Sequence, residues 1–187
     1  MEMYKHTVQH TDCGKPRSDS LLIVVDMQKD FVYGSLGTDE ARKIVQKTKE
    51  KVASHKGELW FTLDTHQEDY LETLEGKSLP VEHCIKGTEG HDLIDELQQF
   101  AEKGRFFEKP TFGSVEMAEA IRQRPDIKDV ELVGVCTDIC VISNALLLKA
   151  FRPELSISVD SACCAGTTPN NHSSSLIAMK SCQIAVI

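Results

Sequence analysis

Short apolar runs alternate with amphipathic stretches along most of the chain. The apolar runs are rich in β-branched and aromatic residues, and polar or turn-forming residues flank them, which is typical of buried β-strands. We predict strands at 21–25, 58–63, 105–108, 130–135, 155–159 and 183–187. The amphipathic stretches predict helices at 39–54, 91–103, 114–124, 138–150 and 170–180, and a long polar loop spans 64–90.

This alternation indicates the architecture. Strands that alternate with helices form βαβ units, and such units build a parallel sheet that helices cover on both faces. We therefore predict an α/β fold with three αβα layers and a mainly parallel, Rossmann-like central sheet of about six strands. A single domain should span residues 1–187, with residues 1–19 as an N-terminal extension. Because ligands bind beyond the carboxyl ends of parallel strands, functional residues should lie in the loops after the strands.

Composition narrows the classes of function. The 187 residues are 41% hydrophobic and 27% charged, which suffices for one sizeable core. A net charge of −8 disfavours binding to nucleic acid or to an anionic membrane surface. No apolar run approaches the roughly 20 residues of a membrane span, and the N-terminal residues lack the apolar region of a signal peptide. The seven cysteines, an odd number, fit reduced thiols and therefore a cytoplasmic protein.

Chemically active side chains follow the predicted strands. Asp26 ends the first strand within VVDMQKDF, Asp64 ends the second within TLDTH, and Lys109 follows the third within FEKPTFGS. The fourth strand leads into CTDIC, which contains Cys136 and Cys140. The carboxyl ends of parallel strands meet at one edge of the sheet. The sequence therefore predicts a carboxylate, an ammonium and a thiol in one place, which are the components of an activated cysteine nucleophile.

Cys140 is the stronger candidate for that nucleophile. It lies in the first turn of the helix predicted at 138–150, where the helix N-terminus and Lys109 would lower the pKa of its thiol. Exposed amides of that turn could bind an oxyanion, and Asp26 could accept the thiol proton. Two other interpretations remain open. Cys140 could be a small core residue, or it could form a redox pair with Cys136, although the two lack the Cys-x-x-Cys spacing.

A second group of polar residues lies in the long loop. Asp64 and His66 are separated by one residue, and Glu75 and His83 follow farther along the chain. Carboxylate and imidazole ligands can share one divalent cation. The alternative is a polar loop that contains histidines incidentally. Mixed nitrogen and oxygen ligands suit several ions, so the sequence does not identify the metal.

Together these segments resemble the isochorismatase-like cysteine hydrolases, and within them the nicotinamidase (pyrazinamidase) branch. The resemblance runs from residue 21 to residue 165 and is carried, in the family's order, by LLIVVDMQKDF, LDTH, EHCIKGTEG, KPTFGS and GVCTDICV. It implies a Rossmann-like hydrolase that cleaves a small-molecule amide and binds one divalent metal, most often zinc, with manganese or iron in some relatives. Members of this family often form homo-oligomers.

The resemblance also assigns roles to individual catalytic residues. Cys140 would be the nucleophile, Asp26 the general base, and Lys109 the cation that stabilises the thiolate. The family has a cis peptide in its nucleophile loop, which here would join Val135 and Cys136. The amides of Cys136 and Cys140 could then face the same oxyanion.

Metal and substrate contacts are implied in the same way. The metal ligands would be Asp64, His66 and His83, with Glu75 as a fourth ligand in the carboxylate-using variant of the site. The spacing before His83 differs by one residue from the usual pattern, so the assignment of Glu75 stays open. Phe31 matches one position that stacks on the substrate ring. Leu79 stands where relatives have a second aromatic residue, which leaves one face of a ring substrate less well held.

The implied reaction is the conversion of nicotinamide and water to nicotinate and ammonia through a thioester on Cys140. In relatives the metal mainly binds the pyridine nitrogen and so orients the substrate. Three alternatives remain. A vinyl-ether hydrolase of the same fold lacks both the thiol and this metal loop, and an amidase for another amide or carbamoyl compound keeps the catalytic residues. A non-enzymatic thiol or metal sensor would require a disulfide between Cys136 and Cys140.

Overall fold

Six parallel strands form one sheet in the computed structural model, which describes residues 19–187. The strands are β1 Ser20–Val25, β2 Glu58–Asp64, β3 Arg105–Lys109, β4 Asp129–Val135, β5 Ser156–Ala165 and β6 Ala185–Val186. Their order across the sheet is β3-β2-β1-β4-β5-β6. The direction of winding therefore reverses between β1 and β4, which is where open α/β sheets bind their ligands. Residues 1–18 of the predicted N-terminal extension lie outside the described residues.

Helices cover both faces of this sheet. They are α1 Lys29–Val32, α2 Asp39–Ser54, α3 Leu74–Ser78, α4 Asp95–Gln98, α5 Val115–Arg122, α6 Ile142–Phe151 and α7 Pro169–Ser181. Alternate residues of β1 point to opposite faces. Leu21 and Ile23 pack in a core with α5, α6 and α7, whereas Leu22 and Val24 pack in a second core with α2. The predicted three-layer α/β fold is thereby confirmed.

One predicted helix is wrong. The segment predicted as a helix at 91–103 consists of short pieces, namely 3₁₀ turns at Glu89–His91 and Ala101–Lys103 on either side of α4. The Ile94 amide donates to the Met27 carbonyl, so the backbone here follows the end of β1 instead of closing a regular helix. The predicted loop at 64–90 also contains structure, a 3₁₀ turn at Tyr70–Glu72 followed by α3.

The region after β4 also differs in detail from the prediction. The chain passes through a π-helical turn at Thr137–Val141 before α6 begins. Farther on, β5 is longer than predicted and includes Cys163 and Cys164. The two thiols are buried in opposite cores, as expected for successive residues of a strand. Within residues 19–187, none of the helices is both long and apolar enough to span a membrane.

Candidate active site

The carboxyl edge of the sheet brings the predicted catalytic side chains together. Asp26 follows β1, Asp64 ends β2, Lys109 ends β3, and Cys140 lies in the turn after β4. The register of β2 and β3 pairs Asp64 directly with Lys109. Asp26 has a φ of 48°, a left-handed conformation that aspartate adopts more readily than most residues. The chain therefore turns sharply at Asp26, directly beyond the central strand.

Lys109 links the other members of this group. Its Nζ lies 2.7 Å from Asp26 Oδ2 and 3.0 Å from Asp64 Oδ1. The same ammonium donates to Cys140 Sγ at 3.5 Å. Lys109 is 1% exposed and Asp26 is fully buried, so water screens these contacts very little. A carboxylate, an ammonium and a thiol thus share one buried site.

Burial and charge set the protonation of this group. Burial raises the pKa of Asp26, while the adjacent Lys109 ammonium opposes that effect. Burial by itself lowers the pKa of Lys109, but the charges of Asp26, Cys140 and Asp64 raise it well above its usual value. Burial raises the pKa of the Cys140 thiol well above its usual value, and the charge of Asp26 acts in the same direction.

The raised thiol pKa differs from the sequence-based expectation that a helix end and a cation lower it. Cys140 lies inside the π-helical turn and is 5% exposed, so desolvation of a thiolate outweighs the attraction of Lys109. A neutral thiol beside an aspartate favours proton transfer during attack over a thiolate formed beforehand.

Two side chains that the sequence analysis missed hold this group in place. The Thr62 hydroxyl donates to Asp26 Oδ1 at 2.6 Å from inside β2. Gln28 is fully buried, accepts from the Asp64 amide at 2.7 Å, and donates to the carbonyls of Asp64 and His91, each at 2.9 Å. Thr62 was missed because it lies within the apolar strand β2. Gln28 was missed although it belongs to the motif VVDMQKDF.

The predicted metal ligands also converge. One ligand atom from each of Asp64, His66, Glu75 and His83 lies within 4.8 Å of the other three. His66 Nε2 is 2.9 Å and His83 Nε2 is 3.5 Å from Asp64 Oδ2. The Glu75 carboxylate is 3.8 Å from His66 and 3.9 Å from His83. Glu75 reaches the cluster because it lies on α3, which the sequence analysis had treated as loop.

This cluster has the donor chemistry of a divalent cation site. Two imidazoles and two carboxylates form the mixed set that zinc, manganese and iron accept. His83 Nδ1 lies 2.8 Å from the Val81 carbonyl, so its other nitrogen is directed at the cluster. Asp64 uses one oxygen toward Lys109 and the other toward the histidines, which connects the cluster to the group of Asp26, Lys109 and Cys140.

The turn that carries Cys140 is anchored to neighbouring segments. The peptide between Val135 and Cys136 is cis. The Asp138 carboxylate accepts from the amide and the hydroxyl of Thr167, at 2.8 Å and 2.5 Å. Asp138 is therefore a brace of the loop.

A cavity of about 840 Å³ opens directly above these groups. Its lining includes the predicted residues Phe31, Asp64, His66, Glu75, Leu79, His83, Val135, Cys136 and Cys140. Asp26 and Lys109 lie beneath it, fully or almost fully buried. Phe112, in the loop after β3, contributes an aromatic ring that the sequence analysis missed. All the predicted site residues thus lie in or under one cavity.

Residues 20–187 match the Isochorismatase domain family. A Bacillus subtilis (strain 168) relative, described as an uncharacterized isochorismatase family protein PncA, is 32% identical over 149 residues, or 70% of this chain and 80% of the relative. The pyrazinamidase of Pyrococcus horikoshii in complex with zinc is 27% identical with a TM-score of 0.77, covering 90% of this chain and 98% of that one. Nicotinamidase/pyrazinamidase PncA from Bacillus subtilis is 26% identical with a TM-score of 0.76, and the match covers 90% of this chain and 98% of that one.

These similarities agree with the family resemblance of the sequence motifs and with the six-stranded parallel sheet. The family match covers every strand of the sheet and every residue of the candidate site. The chain therefore belongs to the isochorismatase family of hydrolases, and nicotinamidases and pyrazinamidases are among its structural neighbours.

Proposed function

We propose that this protein is a metal-containing cysteine amidohydrolase that converts nicotinamide and water to nicotinate and ammonia. The observation that carries the proposal is the position of Lys109, whose ammonium contacts Asp26, Asp64 and Cys140 under a cavity. Structural neighbours described as nicotinamidases and pyrazinamidases support the substrate.

The first half of the reaction forms a thioester. Asp26 takes the proton of the Cys140 thiol as the sulfur attacks the amide carbonyl. Lys109 stabilises the negative charge that passes between sulfur and carboxylate. The backbone amides of Cys136 and Cys140 donate to the oxyanion. When the intermediate collapses, the carbon–nitrogen bond breaks, and Asp26 returns the proton to the departing ammonia.

The second half regenerates the thiol. Asp26 takes a proton from a water molecule, and the resulting hydroxide attacks the thioester carbonyl. Collapse breaks the carbon–sulfur bond and Asp26 returns its proton to the Cys140 sulfur. The nicotinic acid that is released ionises to nicotinate, and its proton passes through water to ammonia. Asp26 therefore acts twice as a base and twice as an acid, which requires a carboxylate with a raised pKa.

Asp64, His66, Glu75 and His83 would hold the metal, with zinc as the expected ion and manganese or iron as alternatives. A bound divalent cation supplies a Lewis-acid contact that orients the substrate ring. Phe31 and Leu79 line the space where that ring would lie. The metal's identity, a cytoplasmic location and a homo-oligomeric state stay predictions.

The test is ammonia release from nicotinamide by metal-loaded protein, with Cys140→Ala and Cys136→Ala measured in parallel. We expect release by the wild type, no release above background by Cys140→Ala, and retained release by Cys136→Ala, because the amide of residue 136 survives the substitution. Mass spectrometry of the wild type during turnover should show the acyl adduct on Cys140. Undiminished release by Cys140→Ala would overturn the mechanism.

A further inference from the structure

We propose that the preferred substrate is a primary aryl amide with an apolar substituent beyond its amide-bearing ring. This inference rests on the proposed function and extends it to the substrate class. Its first support is the size of the cavity, about 840 Å³. Cavities of roughly 300–1,000 Å³ enclose most of a drug-sized ligand. A single-ring amide held between Cys140 and the metal cluster would leave much of this space unfilled.

The second support is the chemistry of the outer part of the cavity. Among residues 19–187, the titratable residues that line the cavity are the proposed metal ligands Asp64, His66, Glu75 and His83, together with the thiols of Cys136 and Cys140. Away from them, the lining formed by the described residues is neutral and mostly apolar, and its side chains include Leu36, Leu74, Leu79, Phe112 and Ile139. A charged substituent would lose its hydration there without gaining a partner, whereas an apolar one would gain contacts.

The third support is a group of exposed apolar side chains at the mouth. Leu74 is 84%, Phe112 is 42% and Leu79 is 39% exposed, and all three line this cavity. Single exposed apolar residues are ordinary, but a group of them around one opening marks a binding surface. Leu74 and Leu79 come from the α3 region and Phe112 from the loop after β3, so two separate segments present apolar groups to one ligand.

The flexible side chain of Leu79, which lines the cavity, fits the same proposal. A flat aromatic wall would confine the site to one ring, whereas the flexible leucine and the exposed Phe112 ring can contact a bulkier group. We therefore infer that the ring bearing the amide lies near Phe31 and the metal cluster, and that its substituent lies between Leu74 and Phe112.

The experiment compares kcat/KM for nicotinamide with kcat/KM for ring-substituted nicotinamides carrying a butyl, a phenyl or a carboxyethyl group. We expect kcat/KM for the better of the two apolar compounds to exceed that for nicotinamide by about tenfold, and kcat/KM for the carboxyethyl compound to fall below it.

Leu74→Ser and Phe112→Ser should each reduce the ratio of apolar-substituted to unsubstituted kcat/KM. Both side chains are partly or largely exposed, so the variants should fold, and circular dichroism verifies this.

Ile177→Ser is the matched control, because Ile177 is 67% exposed on α7 and does not line the cavity. Its ratio should equal that of the wild type. Hydrolysis of nicotinamide without any preference for the apolar compounds would overturn this inference and leave the proposed function intact. A preference that Leu74→Ser and Phe112→Ser do not change would also overturn it. Absence of hydrolysis with every amide would overturn the proposed function and this inference with it.

Discussion

Lys109 shows how a single side chain organises the site. Two carboxylates and a thiol in a buried site would repel one another if all were ionised, and burial alone would neutralise them. The ammonium of Lys109 lies within 3.0 Å of both carboxylates. Burial raises the pKa of Asp64, but hydrogen bonds with His66 and His83, followed by the charge of Lys109, outweigh burial and lower that pKa. Asp26 keeps a raised pKa, as expected of a group that takes up and returns a proton.

Thr62 should control the basicity of Asp26. Burial raises the pKa of Asp26, and the hydrogen bond from Thr62 opposes that rise. Removal of the hydroxyl in Thr62→Val should therefore raise the pKa of Asp26 further. The acidic limb of the pH profile of kcat/KM should move to higher pH, and the maximum should fall about tenfold. Thr48→Val is the matched control, since Thr48 is equally buried but lies on α2. An unchanged pH profile in Thr62→Val would contradict this role.

Glu75 should contribute to metal affinity. Its carboxylate lies within 4 Å of both histidine nitrogens, and Glu75→Ala removes one of the four proposed ligands. We expect the dissociation constant of zinc, measured by competition with a chelator, to rise at least about tenfold. Glu72→Ala, an exposed acid on the preceding 3₁₀ turn, should leave the constant unchanged. Equal affinities for the two variants would indicate a site of three ligands, Asp64, His66 and His83.

Among individual residues, the sequence predicted those that differ chemically from their neighbours in the chain. Asp26, Asp64 and Lys109 stand at the ends of apolar runs, where a charged side chain is conspicuous. Thr62 and Phe112 were missed because a threonine within a strand and a phenylalanine in a loop have ordinary structural explanations. Their roles follow from contacts between segments, and no local pattern records such contacts.

The turn between β4 and α6 is the element that positions the proposed nucleophile. Cys140 lies within the turn at Thr137–Val141, and hydrogen bonds connect this turn to the segment before α7 and to α7 itself. Asp138 accepts two hydrogen bonds from Thr167, and the Thr137 hydroxyl lies 2.8 Å from His172 Nδ1. These contacts restrict the orientation of Cys140 without touching the substrate amide.

Asp138→Ala should therefore reduce kcat more than it changes KM. Loss of both hydrogen bonds from Thr167 frees the turn, and misplacement of a nucleophile by about 1 Å can cost about 100-fold in rate. We expect kcat to fall 10- to 100-fold, a range set by the same estimate. Thr168→Ala is a suitable control, because the Thr168 side chain caps α7 and does not bond the turn. A loss of kcat in Thr168→Ala equal to that in Asp138→Ala would assign the effect to α7 as a whole.

The long helices were predicted well, and the short helices were not. The helix at α2 agrees with the prediction in both bounds, because its apolar stripe and the Thr38 cap are local features. The helix predicted at 91–103 is broken, because the Ile94 amide bonds the Met27 carbonyl and Leu93 and Ile94 pack into the α2-side core. Such tertiary bonds override a weak helical pattern.

The candidate site lies at the carboxyl edge of the sheet, whereas the two apolar cores that stabilise the fold lie between the sheet and its helices. Parallel strands deliver four loop segments to the carboxyl edge, so residues far apart in sequence form one site. Strand order was not predictable from the apolar pattern, which identifies strands without their neighbours. The chain's alternation of strand and helix nevertheless predicted three layers, since only a covered parallel sheet buries strands that are apolar on both faces.

Lys51 provides a link between two of those layers. It projects from α2 and lies 2.7 Å from both Glu131 on β4 and Asp160 on β5. Lys51→Met keeps much of the side-chain volume but leaves two neighbouring carboxylates without their cation. We expect the free energy of unfolding at pH 7 to fall by about 2 kcal/mol. Lys47→Met, an exposed position on the same helix, should change it by less than about 0.5 kcal/mol.

The effect of Lys51 should depend on pH in a direction that the structure determines. Partial burial raises the pKa of Asp160, but the hydrogen bond and charge of Lys51 outweigh it and leave the pKa below the usual value. A carboxyl group with a depressed folded-state pKa contributes stability above its unfolded pKa, about 3.9, and loses it as pH falls through the folded value. Urea denaturation from pH 7 to pH 3 should therefore show the wild type and Lys51→Met converging below about pH 4. A constant difference down to pH 3 would mean that packing of the lysine stem, and not its pairing with Asp160, stabilises the α2 face of the sheet.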